Sequence, residues 1–158
     1  MTEAWFSALG EPLGDEECSE IAAYLAGLGI NAGTAVHQTF TWKEAGELCR
    51  TPSDDWWRRE EEERVRLERR ARLDPAGPEW LALNEALHGA AAVAAARAGC
   101  ADAALIRVAA GAASYAAYQA RLACAAGAAP GHPFLHKYAL YCGGRWPLGI
   151  YHDSFAIF

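Results

Sequence analysis

The chain carries 22 alanines within the 41 positions from residue 89 to residue 129. Alanine has the highest helix propensity of all residues, and its small side chain lets neighbouring helix backbones approach closely. This composition therefore predicts a pair of central alanine-rich helices over residues 78–126. The whole chain, residues 1–158, is then expected to be one mainly α-helical domain, a helical bundle.

Punctuating residues divide the alanine-rich region into two helices. Pro78 suits a first helical position, Gly99 a helix end, and Asp102 the N-cap of a second helix. Apolar side chains at helical spacing predict a buried stripe on the first helix: Trp80, Leu83, Leu87, Ala90, Ala91 and Ala94. Polar or small residues at the same spacing predict a solvent-facing strip on the second: Arg107, Gly111, Ser114, Tyr118 and Arg121.

Residues 51–73 contain seven acidic and seven basic side chains. Opposite charges four residues apart, such as Glu60 and Arg64, support an isolated helix. Thr51 and Pro52 are expected to begin this helix. A thin apolar seam is expected at Trp57, Val65 and Leu73. The segment is therefore predicted to be a charged, solvent-facing helix.

Three shorter helices are predicted from local signals. Asp15 is a suitable N-cap for a helix that ends at Gly27, and Thr41 with Glu44 forms a capping box for a helix over residues 42–50. His132, in the cap position before Pro133, is expected to begin a helix that stops at residues 143–144.

The chain closes on the apolar segment GRWPLGIYHDSFAIF. Two short apolar runs separated by residues 152–154 predict a terminal β-hairpin within residues 145–158, with a three-residue turn. An isolated hairpin is marginally stable in water, so we expect it to pack on the helices through Trp146, Ile150, Phe155 or Ile157. Residues 34–40 offer a third strand.

Charge and cysteine content exclude several classes of protein. A net charge of −6 disfavours nucleic-acid binding, and arginines interrupt the low-charge region, which disfavours a membrane span. The five cysteines are odd in number and lack any CxxC pair. Reduced thiols and a cytoplasmic location are the expectation.

Histidines supply weak candidates for a metal site. Glu85 and His88 form a single E-x-x-H motif, whereas a di-iron bundle uses two. His132 and His136 are four residues apart, with Cys142 six residues further on. Neither group carries the additional ligands or general base of a metal signature. No metal or other cofactor is therefore favoured.

Trp56 and Trp57 are the candidate partner-binding residues, together with Arg58 and Arg59. Two adjacent helical side chains cannot both face inward, so one indole ring is expected at the surface. Exposed tryptophan and arginine are enriched at protein–protein hot spots.

Two functions follow from these features. Because no catalytic signature is present, we expect a non-enzymatic accessory or immunity-type protein that binds another protein. The alternative is a small-molecule or metal-binding helical enzyme whose site lies between the central helices and the C-terminal segment, and draws on His88, His132, His136, Tyr115 and Cys142. Alanine-faced helices pack equally well within a chain or across a two-fold axis, which leaves homo-oligomerisation open.

Overall fold

The computed structural model describes residues 4–31, 33–50, 53–72 and 77–158. Within these residues the chain forms six helices and three strands: α1 (Asp15–Gly27), β1 (Ala35–Gln38), α2 (Trp42–Leu48), α3 (Asp54–Ala71), α4 (Pro78–Arg97), α5 (Ala103–Ala125), α6 (Pro133–Cys142), β2 (Pro147–Tyr151) and β3 (Ser154–Ile157). The predicted mainly helical fold with a C-terminal hairpin is confirmed.

Local capping signals placed most of the helix ends correctly. Thr41 and Glu44 form the predicted capping box of α2, and the Asp102 carboxylate accepts a hydrogen bond of 2.8 Å from the backbone N–H of Ala104. The Asp15 prediction was off by one position, because Gly14 occupies the cap and Asp15 begins α1. The predicted cap at Thr51 and Pro52 lies outside the described residues.

The two alanine-rich helices differ in position. α5 is central and buries eleven residues, whereas α4 buries only Ala91 and Ala95. Most of the stripe predicted on α4 is therefore half-buried or exposed, because α4 packs on α5 along one side only. The prediction of a solvent-facing strip on α5 was also wrong in part. Ser114 and Tyr118 are buried, since α3 lies across the C-terminal half of this helix.

The prediction that α3 is a solvent-facing helix is wrong for its inner face, which is buried. Its buried residues are Trp56, Glu60 and Leu67, while Trp57 is exposed. The predicted seam was therefore wrong at Trp57, and Leu73 lies outside the described residues. Glu60 points inward and does not pair with Arg64, which instead bonds Glu61 and Glu68. The outer face of α3 is charged, as predicted.

Three strands form a small sheet in the order β1-β3-β2. β2 and β3 make the predicted antiparallel hairpin, and β1 is the predicted third strand, parallel to β3 with Val36 opposite Phe155. The turn holds two residues rather than three. Of these, His152 adopts a positive φ of 55°, which suits the turn of a tight hairpin.

The C-terminal residues are buried, as the sequence predicts, including Trp146, Ile150, Phe155 and Ile157. Trp146 and Phe158 exchange backbone hydrogen bonds of 2.7 and 2.9 Å, which extend the hairpin to the last residue. The Phe158 ring packs edge-on against Trp42 at 5.2 Å. None of the described helices has both the length and the hydropathy that crossing a bilayer requires.

Candidate functional site

The two adjacent tryptophans of α3 point in different directions. Trp56 is buried, and its indole N–H donates a 2.7 Å hydrogen bond to the hydroxyl of Tyr24. Trp57 is 48% exposed and stacks on Tyr115 of α5, with ring centroids 6.3 Å apart and planes 28° from parallel. The prediction that one ring is exposed is therefore confirmed, and the exposed ring is Trp57.

A buried polar network centred on Glu60 lies between α3 and the helices on which it packs. The Lys137 ammonium donates hydrogen bonds of 2.7 and 2.9 Å to the two Glu60 oxygens and one of 3.1 Å to Gln119. The Tyr24 hydroxyl donates a 2.5 Å bond to Glu60. Burial and the charge of Glu60 raise the pKa of Tyr24 well above its ordinary value, so this phenol stays protonated and remains a donor.

This network holds the fold together and does not reach solvent. Glu60 and Gln119 are fully buried, and Lys137 is nearly so. A buried charge is tolerated when it is paired and its remaining hydrogen-bonding capacity is used, and both conditions hold here. The network joins Glu60 of α3 to Gln119 of α5 and Lys137 of α6, so we read it as the contact that fixes α3 against these two helices.

A second, outer row of contacts joins α3 to α5. The hydroxyls of Tyr115 and Tyr118 donate 2.6 Å hydrogen bonds to Glu61 and Glu68, respectively. Arg64 bonds both carboxylates. The bond from Arg64 lowers the pKa of Glu61, and burial followed by the Glu68 bond raises the pKa of Tyr118 to about 12. Both tyrosines are thereby held in place as neutral phenols.

Beside this row lies a groove between α4 and α5, which we call the aromatic groove. It has a volume of about 330 Å³ and is lined by Asn84, Gly111, Ser114, Tyr115 and Tyr118. The two tyrosine rings stack at 6.0 Å, and Trp57 stacks on Tyr115 at the edge. A Cβ built on Gly111 would meet no atom within 4 Å, so the groove is open at this position.

Apolar surface continues from the aromatic groove along α5. Ala104, Val108, Gly111 and Tyr115 share one helical face, and both Ala104 and Val108 are exposed. α3 covers this face only from Tyr115 onward, where the hydrogen bonds to Glu61 and Glu68 begin. The uncovered half and Trp57 together form an open apolar strip.

The two arginines predicted to bind a partner have different environments. Arg58 is exposed and forms ion pairs with Asp55 and Glu62 on the surface of α3. Arg59 donates hydrogen bonds to the carbonyl oxygens of Leu28 and Gly29, at 3.1 and 3.2 Å, and so ties α3 to the end of α1. Trp57 and Arg58 are the exposed members of the predicted set, whereas Arg59 is partly buried and Trp56 is buried.

Two histidines of the metal hypothesis, His132 and His136, have other partners. His132 caps α6 by accepting a 3.2 Å bond from Phe134 N–H, and its Nε2 lies 3.0 Å from Glu63. His136 lies 2.6 Å from Glu20. Among the described residues, no three His, Cys, Asp or Glu side chains come together as a group that could hold a metal. Glu85 and His88 on α4 and Cys142 at the end of α6 therefore belong to no such group.

Sequence reasoning did not predict that Lys137, Glu60 and Arg145 are buried. Lys137 is one of only two lysines in the chain and shares a helical face with Phe134 and Tyr141, which is the signal that marks it as buried. Arg145 is buried as well and donates to Glu17 at 2.5 Å, fixing the segment after α6 against α1.

No protein-family model, curated protein or solved structure matches this chain.

Proposed function

We propose that this chain is a non-enzymatic, cytoplasmic binding module that recognises another protein through Trp57 and the aromatic groove. The observation that carries the proposal is the half-exposed ring of Trp57, which stacks on Tyr115. Tyr115 is itself bonded to Glu61, so one face of the indole lies against a ring that is held in place. Preorganised aromatic anchors of this kind lose little side-chain entropy on binding.

The shape and chemistry of the surface indicate the kind of partner. A groove of about 330 Å³ has the volume for one apolar side chain, and the strip of Ala104 and Val108 offers small apolar neighbours. Asn84 at the rim can donate or accept a hydrogen bond from a partner backbone. We therefore expect a partner that inserts an aliphatic side chain from a helix or an extended segment and surrounds it with polar residues.

Affinity purification from cells of the source organism tests the proposal. Wild-type protein is expected to retain a specific protein that the Trp57→Ala variant loses. Phe40→Ala is the matched control, because Phe40 is an aromatic residue 57% exposed that does not line the aromatic groove. Equal recovery of every retained protein by wild type and Trp57→Ala, with both variants folded by circular dichroism, would contradict the proposal.

A further inference from the structure

The three-stranded sheet has two outer edges, formed by β2 and β1, and the structure treats them differently. At the β2 edge, the backbone N–H of Ser53 donates a 2.8 Å hydrogen bond to the carbonyl oxygen of Ile150. At the β1 edge, Ala35, Val36 and His37 are all exposed. β1 is therefore the strand at which the sheet can be extended.

The hydrogen bonds to β3 fix which backbone groups of β1 face outward. The N–H of Thr39 donates a 2.8 Å bond to the carbonyl oxygen of Ile157. Successive residues of a strand direct their backbone groups to opposite edges, so His37 and Thr39 face β3, whereas Val36 and Gln38 face away from it. Within the described ranges of the chain, no group bonds the outward N–H or C=O of either residue. These groups are thus available for a further strand.

Apolar side chains at the β1 edge are also uncovered. Val36 is 42% exposed and Phe40 is 57% exposed, and their even spacing places both on one face of the strand. Natural sheets usually protect an open edge with lysine, proline or a β-bulge. The strand Ala35–Gln38 contains neither residue, and its pairing with β3 is regular. These features favour association with another strand.

The distribution of charge indicates which strand this is. Two copies of a chain with a net charge of −6 repel each other over most of their surface. The 22 residues from Ile21 to Trp42, however, contain no Asp, Glu, Lys or Arg, and this is the longest such run in the sequence. Two copies can therefore meet at β1 without placing like charges together. A basic partner strand would find no carboxylate on β1 with which to pair.

The β1 edge is also complementary to itself. An antiparallel pair of β1 strands, related by a two-fold axis at His37, places Val36 of one copy opposite Gln38 of the other. The outward N–H and C=O groups of these residues then bond each other across the axis. Phe40 becomes the diagonal neighbour of Val36 in the second copy, which is within reach of an aromatic side chain. Each exposed apolar residue thereby covers another, in an isologous contact.

We propose that a second copy of this chain binds at β1 and joins the two sheets into one continuous sheet. The contact is short, so it forms a weak dimer that depends on protein concentration. The proposal is independent of the proposed binding of another protein, because β1 contributes no residue to the aromatic groove.

Sedimentation equilibrium of the full chain over about a hundredfold range of concentration tests the dimer. Val36→Lys places a charge on both sides of the axis and is expected to weaken the dimer at least about tenfold. Val93→Lys is the matched control, because Val93 is 51% exposed on α4. Trp57→Ala is expected to leave the dimer unchanged, which separates this contact from the proposed partner-binding site.

A cysteine at the axis tests the register. The two copies of His37 form a non-hydrogen-bonded pair, in which the Cα atoms lie about 4.5 Å apart, a separation that a disulfide can span. His37→Cys is therefore expected to give a covalent dimer on mild oxidation. Ala35→Cys is the matched control, because position 35 is also exposed but lies opposite Thr39 of the second copy. Wild-type protein shows the background from the native cysteines.

Several results would overturn the proposal. These are a wild-type protein that stays monomeric over the whole concentration range, a dimer that Val36→Lys does not weaken, or a dimer that Val93→Lys weakens equally. Covalent dimers that form as readily from Ala35→Cys as from His37→Cys would exclude the two-fold axis at His37. Circular dichroism of each variant verifies that the fold is intact.

Discussion

Lys137 of α6 and Glu60 of α3 form an ion pair in the interior of the protein, with the ammonium 2.7 and 2.9 Å from the two carboxylate oxygens. The pair joins segments 77 residues apart in the chain. It sets the rotation of α3 about its axis, since turning Glu60 inward also turns Trp56 inward and leaves Trp57 at the surface.

Removal of the lysine is expected to destabilise the fold strongly. Lys137→Met leaves Glu60 as a buried, unpaired charge, which typically costs about 3–5 kcal/mol. The free energy of unfolding from urea titration measures the loss. In the double variant Glu60→Gln, Lys137→Met no charge is stranded, and the amide still accepts from Tyr24, so it is expected to be more stable than Lys137→Met alone. Simple addition of the two single effects would contradict a coupled pair.

Gly149 is expected to tolerate no side chain. Its φ is +110°, and a Cβ there would come within 2.7 Å of the Trp56 ring. Gly149→Ala is therefore expected to cost about 1–3 kcal/mol from backbone strain alone, with a further loss from displacing the indole. Gly89→Ala is the control, because a Cβ at Gly89 meets no atom within 4 Å. That change removes a helical glycine and is expected to stabilise α4 by about 1 kcal/mol. A Gly149→Ala protein as stable as wild type in thermal melting would contradict the packing described here.

The last residue of the chain is expected to contribute to the core. Phe158 is buried against Trp42, and Phe→Ala changes at buried positions cost about 3–5 kcal/mol. Urea unfolding of Phe158→Ala is expected to show a loss of this size, while Phe40→Ala, at an exposed position, stays within about 0.5 kcal/mol of wild type. Equal effects of the two changes would mean that the C-terminal ring does not pack as described.

Deprotonation of the tyrosines is expected to be coupled to unfolding. Burial raises the pKa of Tyr24, Tyr115, Tyr118, Tyr141 and Tyr151 above the ordinary value of 10. The unfolded chain ionises these groups near pH 10 and the folded chain at higher pH. Ionisation therefore favours the unfolded state. The stability from these phenols is fully present below pH 10 and is lost as the pH rises above it.

Tyrosinate absorbance measures this coupling directly. In the folded protein, the absorbance of these five residues is expected to rise only above pH 10, together with the loss of helical circular dichroism. In concentrated urea, all tyrosines are expected to titrate near pH 10. Titration of five tyrosines near pH 10 while the helices remain intact would contradict the burial and hydrogen bonding described for them.

Much of the fold could be predicted from local sequence, because caps and breaks are local. Thr41 with Glu44, Asp102, and Pro133 marked helix ends through contacts within a few residues. The hairpin was visible for the same reason, as two apolar runs beside a short polar turn.

The rotation of α3 about its axis and the buried ion pair between Glu60 and Lys137 could not be predicted from local sequence. Glu60 was assigned to the charged surface of α3, and its pairing with Lys137, 77 residues away in the chain, leaves no local pattern. The sequence showed that one of Trp56 and Trp57 must be exposed. It did not show which one, because the choice depends on the space that Gly149 leaves for the Trp56 ring.

The peripheral position of α4 was equally beyond local patterns. Alanine favours a helix and permits close packing on every side, so composition alone does not distinguish a helix surrounded by neighbours, such as α5, from one with a free flank. The aromatic groove lies along α4 for this reason.

The central claim is that α3 uses Trp56 to build the core and Trp57 to bind a partner. Site-specific photo-crosslinking in cells of the source organism tests this claim most directly. A photoreactive phenylalanine analogue at position 57 is expected to form a covalent adduct with one other protein, at a defined mass. The same analogue at the exposed position 40 is expected to yield no such adduct. No adduct from position 57, or the same adducts from both positions, would contradict the account.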